Sequence, residues 1–306
     1  MPAPSLTIRN YLPADFEQYS SMFMETEKLG YESHDNLKNI VREALNRPGY
    51  SPGKDLFVVQ DAGGIKGFMD ILPEKGVERA VLKCYLQPEF RKQELFLKLL
   101  DSAHQRAKEL NIPALQFNIP SRYKSAPNIL TGLGFKHVRR HLDLVLDISA
   151  FPPADIGKEP LYFRKMAPGE EEILKDIQNR SFTGSWGYNP NTVEDIIYSL
   201  GLSRFPCQDV GFACDGDKIT GFCWTRMHGT KGKETGQVFM LGVGPESRGK
   251  GIGKWVLSNG LTRLKSRGAL LVELTVDSRN KAARSLYRTA GFKEHASSIW
   301  YEKTVA

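Results

Sequence analysis

Residues 248–255 read Arg-Gly-Lys-Gly-Ile-Gly-Lys-Trp. An ordinary turn needs one or two glycines. Three of them alternate here with basic residues, between an apolar run (238–243) and an apolar-periodic stretch that ends near Gly268. The pattern predicts strand, turn and helix. The first amides of a helix lack intrahelical partners and carry the positive end of its dipole. Gly249, Gly251 and Gly253 remove the side chains that would hold an anion away from those amides. Arg248, Lys250 and Lys254 add charge, and 245–267 holds six Lys or Arg against one Glu. The outcome is a cradle for a pyrophosphate. A Walker A loop needs Ser or Thr after Gly-Lys, where Trp255 stands. The dinucleotide fingerprint GxGxxG does not match the GxGxG spacing either.

A second constellation follows about thirty residues on: Asn280, Ala283, Leu286, Tyr287, Gly291 and Phe292, in "NKAARSLYRTAGF". Together, "RGKGIG" and this segment resemble the two signatures of the GCN5-related N-acetyltransferases (GNAT superfamily), R/Q-x-x-G-x-G/A and N-x-x-A-x-x-L-Y-x-x-x-G-F. The resemblance is strongest over 235–293 and weaker over 161–230. It implies acetyl-CoA as cosubstrate. Amides of Arg248, Gly249, Lys250, Gly251, Ile252 and Gly253 would hold its pyrophosphate, with Lys254 beside them. The backbone of Leu241 and Val243 would bind the pantetheine arm like an added strand, with a bulge at Gly242 splaying the sheet. Asn280 would contact the cofactor arm and also cap a helix. Tyr287 would protonate the departing thiolate, although at its helical spacing it could equally be core. The amine would attack the thioester directly, and a backbone N–H near Val243 would stabilise the oxyanion.

The general base is where the resemblance fails. Many family members place Glu near the start of the central strand, where Gln237 stands here. Glu234, or a water held by Gln237, is the substitute, with Glu273 and His228 as further candidates. Trp186 and Tyr188, in "SWGYNP", either line an amine pocket or simply pack.

The elements that must position these residues occur twice. Residues 88–136 align without a gap on 245–293, with thirteen identities in forty-nine positions, against about three by chance. Residues 6–17 match 161–172, and 63–68 match 217–222. A period this long is a domain duplication. The expected fold is therefore α/β with a mixed sheet, as two tandem GNAT-like folds. Residues 1–147 form the first, 148–160 a Pro-rich linker, and 161–306 the catalytic copy. In that copy, Asn191 with Glu194 is expected to open a helix, and 269–277 to be a buried strand. The first copy has Lys92, Glu94 and Phe96 at the three glycine positions, Tyr123 for Asn280 and Leu130 for Tyr287. It should keep the fold without binding cofactor. In its tandem pairing the chain resembles two-domain acetyltransferases similar to mycothiol synthase.

The composition fits a soluble enzyme: 41% hydrophobic, 25% charged, net charge +7. No secretory signal or bilayer-length apolar run is visible, so a cytoplasmic address is expected. Cys84, Cys207, Cys214 and Cys223 lack CxxC spacing and the histidines form no HExxH, so no metal is expected. The expected partner is a small-molecule amine, with no membrane or nucleic acid and a monomer or homodimer as the assembly. A protein or peptide amine, and a non-catalytic acyl-CoA sensor, are the alternatives.

Overall fold

A computed structural model describes residues 6–27, 34–149, 151, 161–205, 208–229 and 234–305. Most of the expected linker, and Cys207, lie outside them. The chain divides into two compact units, one of Met1–Val138 with Ile299–Ala306 and one of Arg139–Ser298. Among the described residues no helix is long and apolar enough to cross a membrane.

Unit 1 contains β1 (Thr7–Asn10), α1 (Phe16–Glu27), α2 (His34–Leu45), α3 (Pro52–Asp55), β2 (Leu56–Asp61), β3 (Gly64–Glu74), β4 (Arg79–Leu86), α4 (Gln93–Glu109), β5 (Ala114–Pro120) and α5 (Ala126–Gly132). Its strands run in spatial order from β1 to β5, all antiparallel except the β4–β5 pair. Beside β5 lies the end of β12, the last strand of the chain (Lys293–Thr304). Gln116 there donates to Glu302 at 2.6 Å. The apolar face of α4, through Leu95, Leu99, Ala103 and Ala107, closes the main core.

Unit 2 begins with the end of β6 (Lys136–Asp147) and contains β7 (Leu161–Lys165), α6 (Glu171–Phe182), α7 (Val193–Leu200), β8 (Gln208–Asp215), β9 (Lys218–His228), β10 (Thr235–Val243), α8 (Ile252–Ser266), β11 (Leu271–Asp277) and α9 (Lys281–Thr289). Its strand order is β6-β11-β10-β9-β8-β7, with the start of β12 beside β6. Helix α8 packs Val256, Leu257, Leu261 and Leu264 against one face of this sheet, and α6 packs Leu174 and Ile177 against Phe212, Phe222 and Trp224.

The units therefore cut the chain at 138 and 298, where sequence patterning suggested 147 and 161. Residues 141–147 of β6 pair antiparallel with β11 in unit 2, from His141 opposite Asp277 to Asp147 opposite Leu271. Alternation along a strand marks its two faces but not the sheet it joins. Two local expectations also change. Thr192, not Asn191, caps α7, in a reciprocal box with Asp195. Strand β11 alternates between buried and open positions, with Leu271 44% exposed, so it is buried on one face only.

Candidate active site

The glycine loop joins β10 to α8 through a short turn, Pro245–Ser247. Gly249 and Gly251 adopt φ of +76° and +77°, a region that side chains other than glycine's enter at a cost. Gly251 is the N-cap of α8, and no side chain caps that end. A Cβ on Gly249 would meet no protein atom within 4 Å, so the backbone there is open from outside. Residues 248–251 are exposed, while Ile252 anchors the helix start in the core. The glycines thus leave an uncapped, accessible helix N-terminus, which fits a pyrophosphate.

The guanidinium of Arg248 is turned to other work. It donates to the Val243 carbonyl at 3.2 Å and to the Ser181 carbonyl at 2.7 Å, tying the loop to the ends of β10 and α6. Lys254 is exposed on the first turn of α8.

Strand β10 pairs along its length with β9, but its parallel pairing with β11 covers only Thr235–Gln237 against Leu271–Glu273. Among the described residues no strand pairs with 238–243, including Leu241 and Val243, on that side. The register shift lies between Val238 and Met240, so Phe239 is the bulged residue, not Gly242. Gly242 answers a different demand: a Cβ there would lie 2.5 Å from the Phe222 ring and 2.7 Å from Ser181 Cβ. It is glycine because α6 approaches β10 there.

Asn280 caps α9, its Oδ1 accepting from the Ala283 amide at 3.0 Å. Gly291 ends the following turn at φ +95°. Tyr287 is 7% exposed, edge-on to Phe292 at 5.8 Å. Burial first, and the neighbouring Cys223 thiol second, hold its hydroxyl well above the usual phenol range. No hydrogen bond to that hydroxyl occurs among the described residues.

Cross-strand pairing sets Val145, Glu273, Gln237, Arg226 and Gln208 in one row across β6, β11, β10, β9 and β8. Paired residues point to the same face of a sheet. Glu273 Oε1 lies 3.0 Å from His228 Nε2, and Gln237 donates to the same oxygen at 3.5 Å. This acid–imidazole pair stands where β10 and β11 part. Glu234 precedes β10 and ties the strand start through its carbonyl, which accepts from Leu270.

Beside Glu273 on the same face are Thr275, which donates to Asp143 at 2.8 Å, and Asp277, 3.6 Å from Arg139. Trp186 meets His141 edge-on at 5.9 Å and lies under the Arg139 guanidinium. Arg139, His141 and Asp143 were missed as site residues because they precede the expected domain boundary. The polar alternation Arg139, His141, Asp143 was their one visible signal. Tyr188 does not join this face. Its hydroxyl donates to Asn179 Oδ1 at 2.8 Å and accepts from Asn191 at 3.0 Å, and its ring stacks on Phe182 at 4.9 Å. It fixes the 184–191 loop that carries Trp186.

Residues 172–292 match the acetyltransferase (GNAT) family. A mycothiol acetyltransferase of Paenarthrobacter aurescens is 26% identical over 263 residues, covering 82% of this chain and 78% of the relative. A tandem GNAT protein from the clavulanic acid biosynthesis pathway shares the fold with a TM-score of 0.75 at 13% identity, over 99% of both chains. A GCN5-related N-acetyltransferase of Sphaerobacter thermophilus does so with a TM-score of 0.68 at 22% identity, over 98% of this chain and 96% of that one. The fold is thus that of a tandem GNAT protein, and residues 172–292 in its second half, which carry both signatures, match the acetyltransferase (GNAT) family of acyltransferases.

Proposed function

We propose that this protein transfers an acetyl group from acetyl-CoA to a primary amine on a small molecule, using a single site in unit 2. The observation that carries the reading is the uncapped α8 N-terminus behind Gly249 and Gly251, next to a β10 edge left open beyond Gln237. The amides of 249–253 would hold the pyrophosphate, and the free edge of β10 at Leu241 and Val243 would take the pantetheine arm. When bound, the thioester supplies the activated acetyl group. Phe239 bulges β10 between these contacts and the acid-lined face, where the amine would enter.

Glu273 is the base we favour over Glu234 and Gln237. It stands at the point where the strands part, and His228 accepts or donates beside it at 3.0 Å. A carboxylate backed by an imidazole can take a proton from an incoming ammonium. Tyr287, kept protonated by burial, would return a proton to the leaving thiolate. The name carried by the curated relatives supports a small-molecule acceptor. Unit 1 would bind no coenzyme and serve as scaffold.

Thiol release from acetyl-CoA over an amine panel tests the reading. Turnover with one class of small amine is the expected result. Tight coenzyme A binding without turnover on any amine would contradict it and leave a sensor.

A further inference from the structure

Arg226 is a buried charge in unit 2 with an unsatisfied nitrogen. It is 4% exposed, on β9, in the row that runs through Gln237 to Glu273. Its Nε donates to Gln208 Oε1 at 3.1 Å, an oxygen that also accepts from the Trp224 indole. Its Nη2 has no hydrogen-bond partner. No carboxylate of the described residues pairs with it. Aromatic rings take the place of a counter-ion: Phe239 at 3.3 Å, Phe205 at 4.4 Å and Trp224 at 5.2 Å.

Burying a guanidinium without an anion is costly, and stacking on aromatic rings returns only part of that cost. Burial, then the charge of Arg204, pulls its pKa down to about 9, so it stays protonated at neutral pH. The fold does not require a cation there. In unit 1 the equivalent position on β3 is Leu72, packed against an apolar core. Over Arg226 sits Phe239, 38% exposed and carried by the bulge. A bulged residue has no cross-strand partner to pin its side chain.

We propose that Arg226 is the seat for a carboxylate on the acceptor, reached when the Phe239 ring turns aside, so that the amine acetylated here belongs to an amino acid or a short peptide. This rests on the acetyl-transfer reading and narrows its substrate. The charges on the face are arranged for a dipolar molecule. Arg226 stands two strands from Glu273, about 10 Å at the backbone. Glu273, Asp143 and Asp277 attract the ammonium end, and Arg226, which pairs with no carboxylate of the described residues, receives the other. A carboxylate bonded to Nη2 would restore the missing partner in a dry setting, where charge-assisted hydrogen bonds are strongest.

The test is binding, which needs no turnover. N-acetylated amino acids and dipeptides, and their C-terminal carboxamides, are titrated calorimetrically into the full chain, with coenzyme A titrated separately. At least one acid should bind about 10- to 100-fold tighter than its own amide. Arg226→Met should bring that ratio to within about threefold while the protein still melts cooperatively. Should Arg226→Met fail to fold, Arg226→Lys is read the same way, because an ammonium cannot present the guanidinium fork. No preference for acids in the unaltered protein, no binding of any acid, or a preference that survives the substitution overturns the proposal. Loss of the acetyl-transfer reading shows separately, as failure of coenzyme A to bind.

Discussion

The two units keep the same scaffold contacts and differ where a ligand would sit. Arg9 grips Asp15 through two hydrogen bonds of 2.7 and 2.8 Å, and Arg164 grips Glu170 through two of 2.7 Å. Each acid also accepts from the amide three residues before it. Arg106 pairs with buried Asp55, and Arg263, its counterpart, with buried Asp209. Arg91 donates to the Leu86 carbonyl at 2.9 Å, as Arg248 does to Val243. Gly67 and Gly221 are both glycine because a carbonyl, of Tyr85 or of Gly242, crosses within 2.8 Å of where a Cβ would be. The differences are of another kind. Strand β4 pairs with β3 without a bulge, and Lys92 at the start of α4 has φ −100° where Gly249 has +76°. Phe96 fills the third glycine position against Phe117, and Leu130 is 3% exposed where Tyr287 stands. Shared residues therefore mark the fold, and unshared ones mark the chemistry. By that criterion Arg248 belongs to the scaffold, although its place in a signature suggested the pyrophosphate.

The sharpest way to break the comparison is to move a residue across it. Gly251→Glu installs what unit 1 has at Glu94, in a left-handed conformation and against an incoming diphosphate. Coenzyme A affinity by calorimetry should fall at least about 100-fold, while Glu94→Gly should leave it unchanged. Next in size is Tyr287→Phe. With no hydrogen bond to lose, it should melt within a few degrees of the unaltered protein and bind coenzyme A as tightly, yet lose about 10- to 100-fold in kcat. An equal loss in coenzyme affinity would make Tyr287 a packing residue like Leu130.

Smaller effects test the shared scaffold. Arg91→Gln and Arg248→Gln should each cost about 1–2 kcal/mol, read as a melting shift of a few degrees. If Arg248→Gln instead weakens coenzyme binding more than tenfold without lowering stability, the guanidinium serves the ligand. Smallest is the pH response of the Arg9–Asp15 and Arg164–Glu170 pairs. Hydrogen bonds from the arginine hold each acid below its usual range. A depressed carboxyl contributes stability at neutral pH and loses it as pH falls below about 4. Asp15→Asn and Glu170→Gln should both melt lower at pH 7, and the gap to the unaltered protein should narrow as pH falls below about 4.

The loop, both helix stops and the duplication were legible because each is written locally. Glycines at positive φ, the Asn280 cap and repeated Gly-Phe-Lys endings need no tertiary context. The row of Glu273, Gln237 and Arg226 was not, because it exists only once three strands are in register. The same holds for β6, whose alternation fits either sheet, and for the bulge, which falls at Phe239 and not at the glycine three residues on. Tyr188 had the composition of a pocket residue, but its hydroxyl is held by two asparagines.

The central claim is that one unit binds coenzyme A and its copy does not. Calorimetric titration of the full chain measures this as a stoichiometry. One coenzyme per chain, falling to none with Gly251→Glu, is the predicted result. Two per chain, or one that persists in Gly251→Glu, would contradict it.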